Sequence, residues 1–246
     1  MRRGFREIKI RSWSNLIKQC DNLGKGWILR GHRNSAWPLQ TSLECSLNNF
    51  HINLREAPRL EGGLLRRFQR QFHHFCVSSP EEQDIMEWLA LMQHYGGPTR
   101  LLDWTHSFFA ALYFAVEYAT GKCAVWALDV NWVNRRIKEK YPDIWELVGD
   151  DKKRPCEGID PNARNFETFK TAFMGKKPFV MTMNSLRLNE RLAIQQGTFL
   201  CPGDITRPFE TNLKGLLKPS GSGLCFLTIF PDLRLWLCYG NSPAKS

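Results

Sequence analysis

Five polar side chains between residues 94 and 103 could together form a binding site. They are His94, Tyr95, Thr99, Arg100 and Asp103, and they follow an apolar, helix-like segment. Loops held by rigid elements are common places for such sites. A guanidinium can contact phosphate or ribose, an imidazole can hydrogen-bond a ribose hydroxyl, and a phenol ring can stack on a flat ring. We therefore expect a nucleotide site, with Arg100, His94 and Tyr95 in those roles. Thr99 would add a hydroxyl contact.

Asp103 is the carboxylate of this group that could take part in catalysis. Its neighbours Leu102 and Trp104 imply a water-poor setting. A carboxylate there could stabilise positive charge in a transition state or take a proton from an acceptor. Two structural alternatives stay open: Asp103 holds Arg100, or it caps the helix that starts near Ser107.

Arg30 and Gly31 form a second candidate site at the end of the apolar segment WILRG. A planar guanidinium can clamp a phosphate through two hydrogen bonds. A glycine beside it would let the ligand approach the backbone closely. The alternative is an internal ion pair between Arg30 and Asp103, because a buried charge without a partner is costly.

The positive charge of the chain is concentrated near its beginning. Residues 1–80 hold 14 Lys and Arg against 5 Asp and Glu, whereas the formal net charge of the whole chain is +10. A helix predicted over residues 62–76 presents Arg66, Arg67 and Arg70 opposite its apolar stripe. This asymmetry points to nucleic acid as partner, ahead of acidic protein and membrane surface. A solvated helix face is the structural alternative.

The composition is that of a globular protein without a metal site or membrane anchor. Hydrophobic residues make up 43% of the 246 positions, which is enough for a substantial core. The eight cysteines form no CxxC pair, so we expect reduced core thiols and no metal. No apolar run has the length of a membrane span or signal peptide, which predicts a cytoplasmic protein. A nuclease is a distant third function class, because clustered carboxylates are lacking.

Four segments have the pattern of helices. Residues 12–20 begin with a serine cap, and residues 62–76 carry the arginines described above. The third segment offers Ser79 as cap, Pro80 at the first position and Gly96 as the left-handed stop. The fourth, SFFAALYFAVEYATG, is apolar almost all round, which predicts a central buried helix.

Strand-like runs alternate irregularly with these helices, which favours an α+β fold. The predicted strands are WILRG, CAVWALDV, PFVMTM, TFLCP and GLCFLTIF. PTRLLDWT and HRNSAWPLQTSL are predicted to be irregular, and NERLAIQQG to be a short helix. We expect a single mixed α/β domain over residues 1–246, with a basic helical segment at about 50–80 and an irregular insertion that carries short helices at about 131–177.

Three segments resemble the FRG-domain family. WILRGHRNSAWPLQTSL contains the Arg-Gly pair that gives the family its name, and MQHYGGPTRLLDWTHSFFAALYFAVEYA is similar to its central block. RLAIQQGTFL is similar to its late Q-Q-G-x-F element. The resemblance implies a toxin or anti-phage effector and, more distantly, the split sheet with surrounding helices of ADP-ribosyltransferases.

That more distant similarity implies NAD as co-substrate and a set of site residues. Transferases of this kind place an Arg beside the NAD pyrophosphate, as Arg30 would be, and a "YFA" element such as the one at Tyr113 near the nicotinamide pocket. They also carry a late catalytic Glu. In this sequence Glu190 precedes Gln195 and Gln196 by a turn or more. The acid could therefore be Glu190 or Asp103, with the two glutamines positioning the acceptor.

Two functions from different classes follow. The first is transfer of ADP-ribose from NAD to nucleic acid, with RNA as the first candidate acceptor and an antitoxin protein as a further candidate partner. The second is a non-catalytic module that binds a nucleotide or nucleic acid for sensing or recruitment. No membrane partner is expected.

Overall fold

The computed structural model describes residues 6–24, 26–72, 74, 79–148, 166–184, 196–217 and 224–229. These residues form a seven-stranded sheet flanked by helices, which confirms the predicted mixed α/β architecture. The strands are β1 Arg6–Ile10, β2 Trp27–His32, β3 Leu102–Thr105, β4 Cys123–Asp129, β5 Val180–Met183, β6 Gly197–Pro202 and β7 Leu224–Ile229.

The sheet has the strand order β1-β7-β4-β2-β3-β6-β5. β1 and β7 pair in parallel, and the other neighbours are antiparallel. β2 pairs with β4 along its whole length, from Trp27 opposite Asp129 to His32 opposite Ala124. On its other edge β2 shares only one bridge with β3, Leu29 opposite Thr105. The centre of the sheet therefore has one weak junction, between β2 and β3.

The helices are α1 Trp13–Asn22, α2 Ser42–Asn49, α3 Ala57–Phe72, α4 Ile85–His94, α5 Phe108–Val116, α6 Val130–Lys140, α7 Pro142–Val148, α8 Phe166–Phe173 and α9 Phe209–Lys214. Side-chain caps fix where several of them begin. The Ser12 side chain accepts from the Asn15 amide at the start of α1, as predicted. The Ser107 hydroxyl accepts from the Ala110 amide at 3.2 Å and so starts α5.

Two apolar layers cover the two faces of the sheet. Because side chains alternate along a strand, Ile28 of β2 joins the larger core and Leu29 joins the smaller one. The larger core contains side chains from α3, α4, α6, α7 and α8, with Trp126 of β4 at 1% exposure among them. The smaller core contains side chains from α1 and α5. Arg30 and His32 project from the same face of β2 as Ile28.

The predicted start of α4 was wrong. The helix begins at Ile85 and is capped by Asp84, whose carboxylate accepts from the Glu87 amide at 3.1 Å. Asp followed three positions later by Glu has the spacing of a capping box. The sequence showed this signal as clearly as it showed the Ser79 cap. The predicted stop was right, because Gly96 has φ +81°.

The prediction of PTRLLDWT as an irregular loop was wrong, because it contains the strand β3. HRNSAWPLQTSL is irregular over residues 33–41 as predicted, and its last two residues begin α2, which Thr41 caps. The predicted insertion at about 131–177 carries short helices where it is described, as expected. Its helices contribute buried side chains to the larger core, including Val133, Ile137 and Phe169. The amphipathic spacing of α6 was hidden by its many charged residues.

Helix α5 is buried on one face only, so the prediction of a helix buried all round was wrong. Ala111 and Ala115 are fully buried against the sheet, whereas Phe109 is 59% exposed and Tyr113 55%. Helix α3 begins five residues before the predicted 62–76 segment, with Pro58 in its first turn. Residues 73 and 75–78, and the helix predicted for NERLAIQQG, lie outside the described part of the chain.

Candidate functional site

A cavity of about 390 Å³ opens beside the weak junction of β2 and β3. Its volume lies at the lower end of the range of about 300–1,000 Å³ for ligand pockets. The lining residues are Leu29, Arg30, Gly31, His32, Arg33, Trp37, Ala90, Gln93, His94, Asp103, Trp104, Thr105, Phe114, Glu117, Tyr118, Gly197 and Phe199. They come from β2 and its following loop, α4, β3, α5 and β6. Four residues predicted from sequence therefore meet here: Arg30, Gly31, His94 and Asp103.

Arg30 is held by two donated hydrogen bonds. Its Nη1 donates to the backbone oxygen of Asp103 at 2.7 Å, and its Nε donates to Nε2 of His32 at 3.2 Å. The same Nη1 lies 3.9 Å from Oδ2 of Asp103, and the Arg30 side chain is 25% exposed. Burial lowers the pKa of Arg30, and the Asp103 carboxylate acts in the opposite direction. The internal pair foreseen as an alternative is thus present, yet the guanidinium still faces the cavity.

Asp103 presents its carboxylate to the cavity from β3. The side chain is 60% exposed, so the predicted water-poor setting was wrong. The strand alternation explains this, because Leu102 and Trp104 point into the core while Asp103 points the other way. Neither structural alternative holds: Arg100 pairs elsewhere, and the cap of α5 is Ser107.

A chain of hydrogen bonds fixes the Asp103 carboxylate from behind. Nε2 of Gln93 donates to Oδ1 of Asp103 at 2.8 Å. The Thr99 hydroxyl donates in turn to Oε1 of Gln93, and the Thr99 amide donates to the Ser42 hydroxyl at 2.9 Å. Thr99 is fully buried, so the predicted direct contact between its hydroxyl and a ligand was wrong. It orients Gln93, which orients the carboxylate.

His32 supports Arg30 from the other side. Its Nδ1 faces the indole N–H of Trp126 at 3.3 Å, while its Nε2 faces Nε of Arg30. A neutral imidazole accepts at only one nitrogen, so His32 accepts from Arg30 or from Trp126 but not from both at once.

Trp104 adds a buried donor to the cavity wall. It is 3% exposed, and its indole N–H has no hydrogen-bond partner among the described residues. Buried polar groups are nearly always satisfied, so an unpaired one in a pocket wall calls for an acceptor. A bound ligand could supply it.

Gly31 serves the packing of α5, which differs from its predicted role. A Cβ added there would lie 2.1 Å from the backbone oxygen of Ala111 and 2.6 Å from the amide nitrogen of Ala115. The close approach that glycine permits is therefore between β2 and a helix, although Gly31 also lines the cavity.

Gly31→Ala should destabilise the protein by at least about 1–3 kcal/mol, because backbone atoms of α5 cannot move aside as a flexible side chain could. Urea denaturation measures the loss. The matched control is Gly63→Ala in α3, where an added Cβ meets nothing within 4 Å and should not destabilise. Equal stability of wild type and Gly31→Ala would contradict this account of α5 packing.

Arg100 is a structural residue, so the predicted contact of its guanidinium with phosphate or ribose was wrong. Its side chain is 1% exposed, and its Nε donates to Oε2 of Glu61 at 2.7 Å. Its backbone amide donates to Oε1 of Glu61 at 2.8 Å, and its Nη1 donates to the Phe173 oxygen at 2.8 Å. The guanidinium also lies over the ring of Phe169, 4.9 Å from its centroid. These contacts connect the segment just before β3 to α3 and α8.

Two tyrosines predicted for the site do not line the cavity. Tyr95 packs its ring against Phe68 and Phe72 of α3, with centroid distances of 6.1 and 5.9 Å. The Tyr113 hydroxyl donates to Oε1 of Glu117 at 2.6 Å, which raises the pKa of Tyr113. Tyr113 thus reaches the cavity only through Glu117.

The late segment is described in part. Glu190 and Gln195 lie outside the described residues. Gln196 is exposed, has φ +48°, and accepts from the His106 amide through its backbone oxygen at 3.0 Å. It directly precedes Gly197, which lines the cavity. The segment therefore enters the structure beside the site.

The arginines of α3 form a separate basic surface. Arg66, Arg67 and Arg70 are exposed and form no ion pair with another described residue. Arg66 also borders a second groove, of about 850 Å³, between α3, α4 and α8. These arginines do not line the first cavity.

Several residues of the cavity were not found from the sequence. His32, Trp37, Gln93, Glu117 and Tyr118 all line it. Gln93 and His32 directly neighbour residues that were singled out, His94 and Gly31, so proximity was a usable signal. Trp37 and Tyr118 carried none, because exposed aromatics cannot be told from core aromatics by pattern alone.

The described cysteines are free thiols in different settings. Cys123 and Cys201 are buried as predicted, but Cys45 is exposed and Cys20 half-buried. Burial raises the pKa of Cys201 to about 12, so this thiol is a poor nucleophile. Within the described ranges no group of three or more His, Cys, Asp or Glu could hold a metal ion. None of the described helices is long and apolar enough to cross a membrane.

The comparisons with known proteins give one family match, over part of the chain. No curated protein and no solved structure matches the chain. Residues 25–122 match the family described as FRG domain. That range contains β2, α4, β3 and α5, and hence Arg30, His94 and Asp103, but not the β6 wall of the cavity. The chain therefore contains an FRG domain over residues 25–122.

Proposed function

We propose that the cavity binds NAD and that the protein transfers ADP-ribose from it to a nucleic acid, with RNA as the first candidate acceptor. One observation carries the proposal: Arg30 and Asp103, singled out separately from the sequence, meet at the wall of one cavity. A cation for phosphate and a fixed carboxylate for ribose chemistry are the two groups that this reaction needs. In the cell we propose a toxin or anti-phage role for this activity.

The surroundings of the pair support a nucleotide ligand. Among the described residues, Nε and Nη1 of Arg30 have partners, which leaves Nη2 to donate to a phosphate oxygen. His94 also lines the cavity and offers a ring nitrogen to a ribose hydroxyl. The weak β2–β3 junction supports the expected transferase-like split of the sheet.

Asp103 would act at the ribose. The bond between ribose C1′ and the nicotinamide nitrogen breaks, and its electron pair leaves with nicotinamide. A nucleophilic atom of the acceptor bonds to C1′, and its proton passes to the Asp103 carboxylate. The carboxylate also stabilises the positive charge that builds up on the ribose, because Gln93 already holds it in place. Glu190 remains a second candidate acid.

A non-catalytic module that binds a nucleotide or nucleic acid is the second candidate function. The exposure of Asp103 favours it, since a carboxylate that is 60% exposed gains less from a low-dielectric setting than a buried one. In that case the cavity senses a ligand, and Asp103 only keeps Arg30 in place.

Label transfer separates the two functions. Purified protein is incubated with NAD labelled in its adenylate phosphate, together with RNA, DNA or cell-extract protein. We expect label on nucleic acid, one nicotinamide released for each ADP-ribose attached, and no label when the label is in nicotinamide. Binding of NAD without label on any acceptor would contradict transfer and favour the sensing module.

Charge reversal on α3 tests the nucleic-acid part of the proposal. The combined variant Arg66→Glu, Arg67→Glu and Arg70→Glu should bind RNA more weakly, and its affinity should depend less on salt. The reason is that binding with fewer phosphate contacts releases fewer counterions from the RNA. The measurement is a salt titration of binding to a labelled oligonucleotide. Reversal of Arg135, Lys138 and Lys140, all exposed on α6, lowers the net charge by the same amount and is the control. If the triple variant keeps the affinity of the wild type and the same dependence on salt, these arginines only form a solvated helix face.

A further inference from the structure

Exposed aromatic rings flank one side of the cavity. Trp37 is 43% exposed and follows β2, and Tyr118 is 72% exposed and follows α5. Both line the cavity that contains Arg30 and Asp103. Neither ring is needed by the proposed binding of NAD. Two large exposed rings from different elements at one opening are a feature that packing alone does not account for.

A cation lies against the first of these rings. The guanidinium carbon of Arg33 is 5.1 Å from the centroid of the Trp37 ring, and Arg33 is exposed. In the part of the chain that is described, Arg33 forms no ion pair. Cation–π contacts of this kind are frequent on protein surfaces, so the contact by itself indicates no ligand. Arg33 also lines the cavity, so its charge can attract an anionic ligand that enters there.

The rings of His32 and Trp37 are in edge contact, with 6.5 Å between the centroids. His32 in turn contacts Arg30 and Trp126, which are fixed in the sheet. The Trp37 ring is therefore supported by contact with a residue of β2. A supported, exposed indole is a stacking platform for a flat ring, since little side-chain freedom remains to be lost on binding.

We propose that Trp37, Tyr118 and Arg33 form a subsite for one unstacked nucleobase of a single-stranded nucleic acid, with Arg33 at the adjoining phosphate. Every nucleobase has a face that stacks on an aromatic ring, and a guanidinium suits the backbone anion. A base within a duplex cannot reach such a subsite unless it leaves the stack. The ligand is therefore a single strand or a loop.

This subsite rests on the proposed function and narrows it. It places the acceptor base at the same cavity as Asp103, so that the carboxylate can serve the bond between ribose and acceptor. Phe68 and Phe72 of α3 contact Tyr95 next to His94, so the apolar face of α3 packs beside the end of α4.

Binding of a labelled single-stranded RNA tests the subsite without NAD. A fluorescent strand of about ten nucleotides suits the site sizes known for single-strand binders, and anisotropy gives the dissociation constant. Trp37→Ala should weaken binding by roughly 5- to 150-fold, the range expected for loss of one stacked base. Trp37→Phe keeps a ring and should retain most of the affinity. Phe109→Ala is the matched control, because Phe109 is 59% exposed but lies outside the cavity lining.

The outcomes separate this proposal from the proposed function. Trp37→Ala that is folded, binds NAD as wild type does and has lost RNA affinity supports the subsite. Trp37→Ala with unchanged RNA affinity overturns the subsite, whatever NAD binding shows. A blunt duplex of the same strand with its complement that competes as well as the single strand overturns it too. Trp37-dependent RNA binding without label transfer from NAD would support the subsite while contradicting the transferase.

Discussion

Arg100→Ala is expected to lower the free energy of unfolding by about 3–5 kcal/mol, because it leaves the Glu61 carboxylate buried without its partner. The Glu61 side chain is 4% exposed and that of Arg100 1%, so water cannot replace either. The loss also removes the bond from Nη1 to the Phe173 oxygen that ties α8 to this region. Urea denaturation followed by circular dichroism gives the change.

A surface ion pair at the start of α3, the helix that carries Glu61, provides the control. Arg59 lies 2.8 Å from Glu56, and its side chain is 73% exposed. Arg59→Ala should therefore cost about 0–1 kcal/mol. A double variant, Glu61→Leu with Arg100→Met, should cost less than Arg100→Ala, since it removes both charges. If Arg100→Ala is no more costly than Arg59→Ala, the pair does not contribute as described.

Asp103→Asn should reduce the rate of ADP-ribose transfer by about 10²–10³-fold, the scale seen on removal of one preorganised electrostatic group. The variant should fold and bind NAD, because an asparagine oxygen can still accept the hydrogen bond from Gln93. Single-turnover kinetics with saturating NAD measure the rate, and a thermal melt confirms folding.

Asp143→Asn is the matched control for this variant. The Asp143 side chain is 62% exposed against 60% for Asp103, and it forms a salt bridge with Lys177 outside the cavity. It should leave the transfer rate unchanged. Near-normal turnover in folded Asp103→Asn would move the catalytic assignment to Glu190, with Gln195 and Gln196 placing the acceptor.

Elements with strong local signals could be predicted from the sequence. The cap Ser12, the stop at Gly96, and the strands β2 and β4 all follow from residues within a few positions of each other. Strand β1 had no such signal. It is an edge strand that pairs with β7, and Ile8 lies opposite Leu227, at the far end of the chain. Long-range pairing cannot be seen in a local pattern.

The candidate site shows the same division. The meeting of Arg30 with Asp103 was foreseen, because a charge on an apolar strand requires a partner. The partner of Arg100 was not, since Glu61 lies on α3, 39 positions earlier in the chain. The role of Gly31 was misassigned for a related reason: the approach of α5 is set by packing, which the sequence of β2 does not contain.

Calorimetric titration with NAD tests most directly whether the cavity is a nucleotide site with Arg30 as its phosphate contact. Wild type should bind one NAD, and Arg30→Ala should bind it about 10- to 150-fold more weakly, which is the effect of losing a hydrogen bond to a charged group. The melting temperature of Arg30→Ala should stay close to that of wild type, because its ion pair with Asp103 is long, at 3.9 Å, and the Asp103 side chain is 60% exposed. Unchanged NAD affinity together with a large fall in melting temperature would show that Arg30 only pairs internally, and would contradict the nucleotide site.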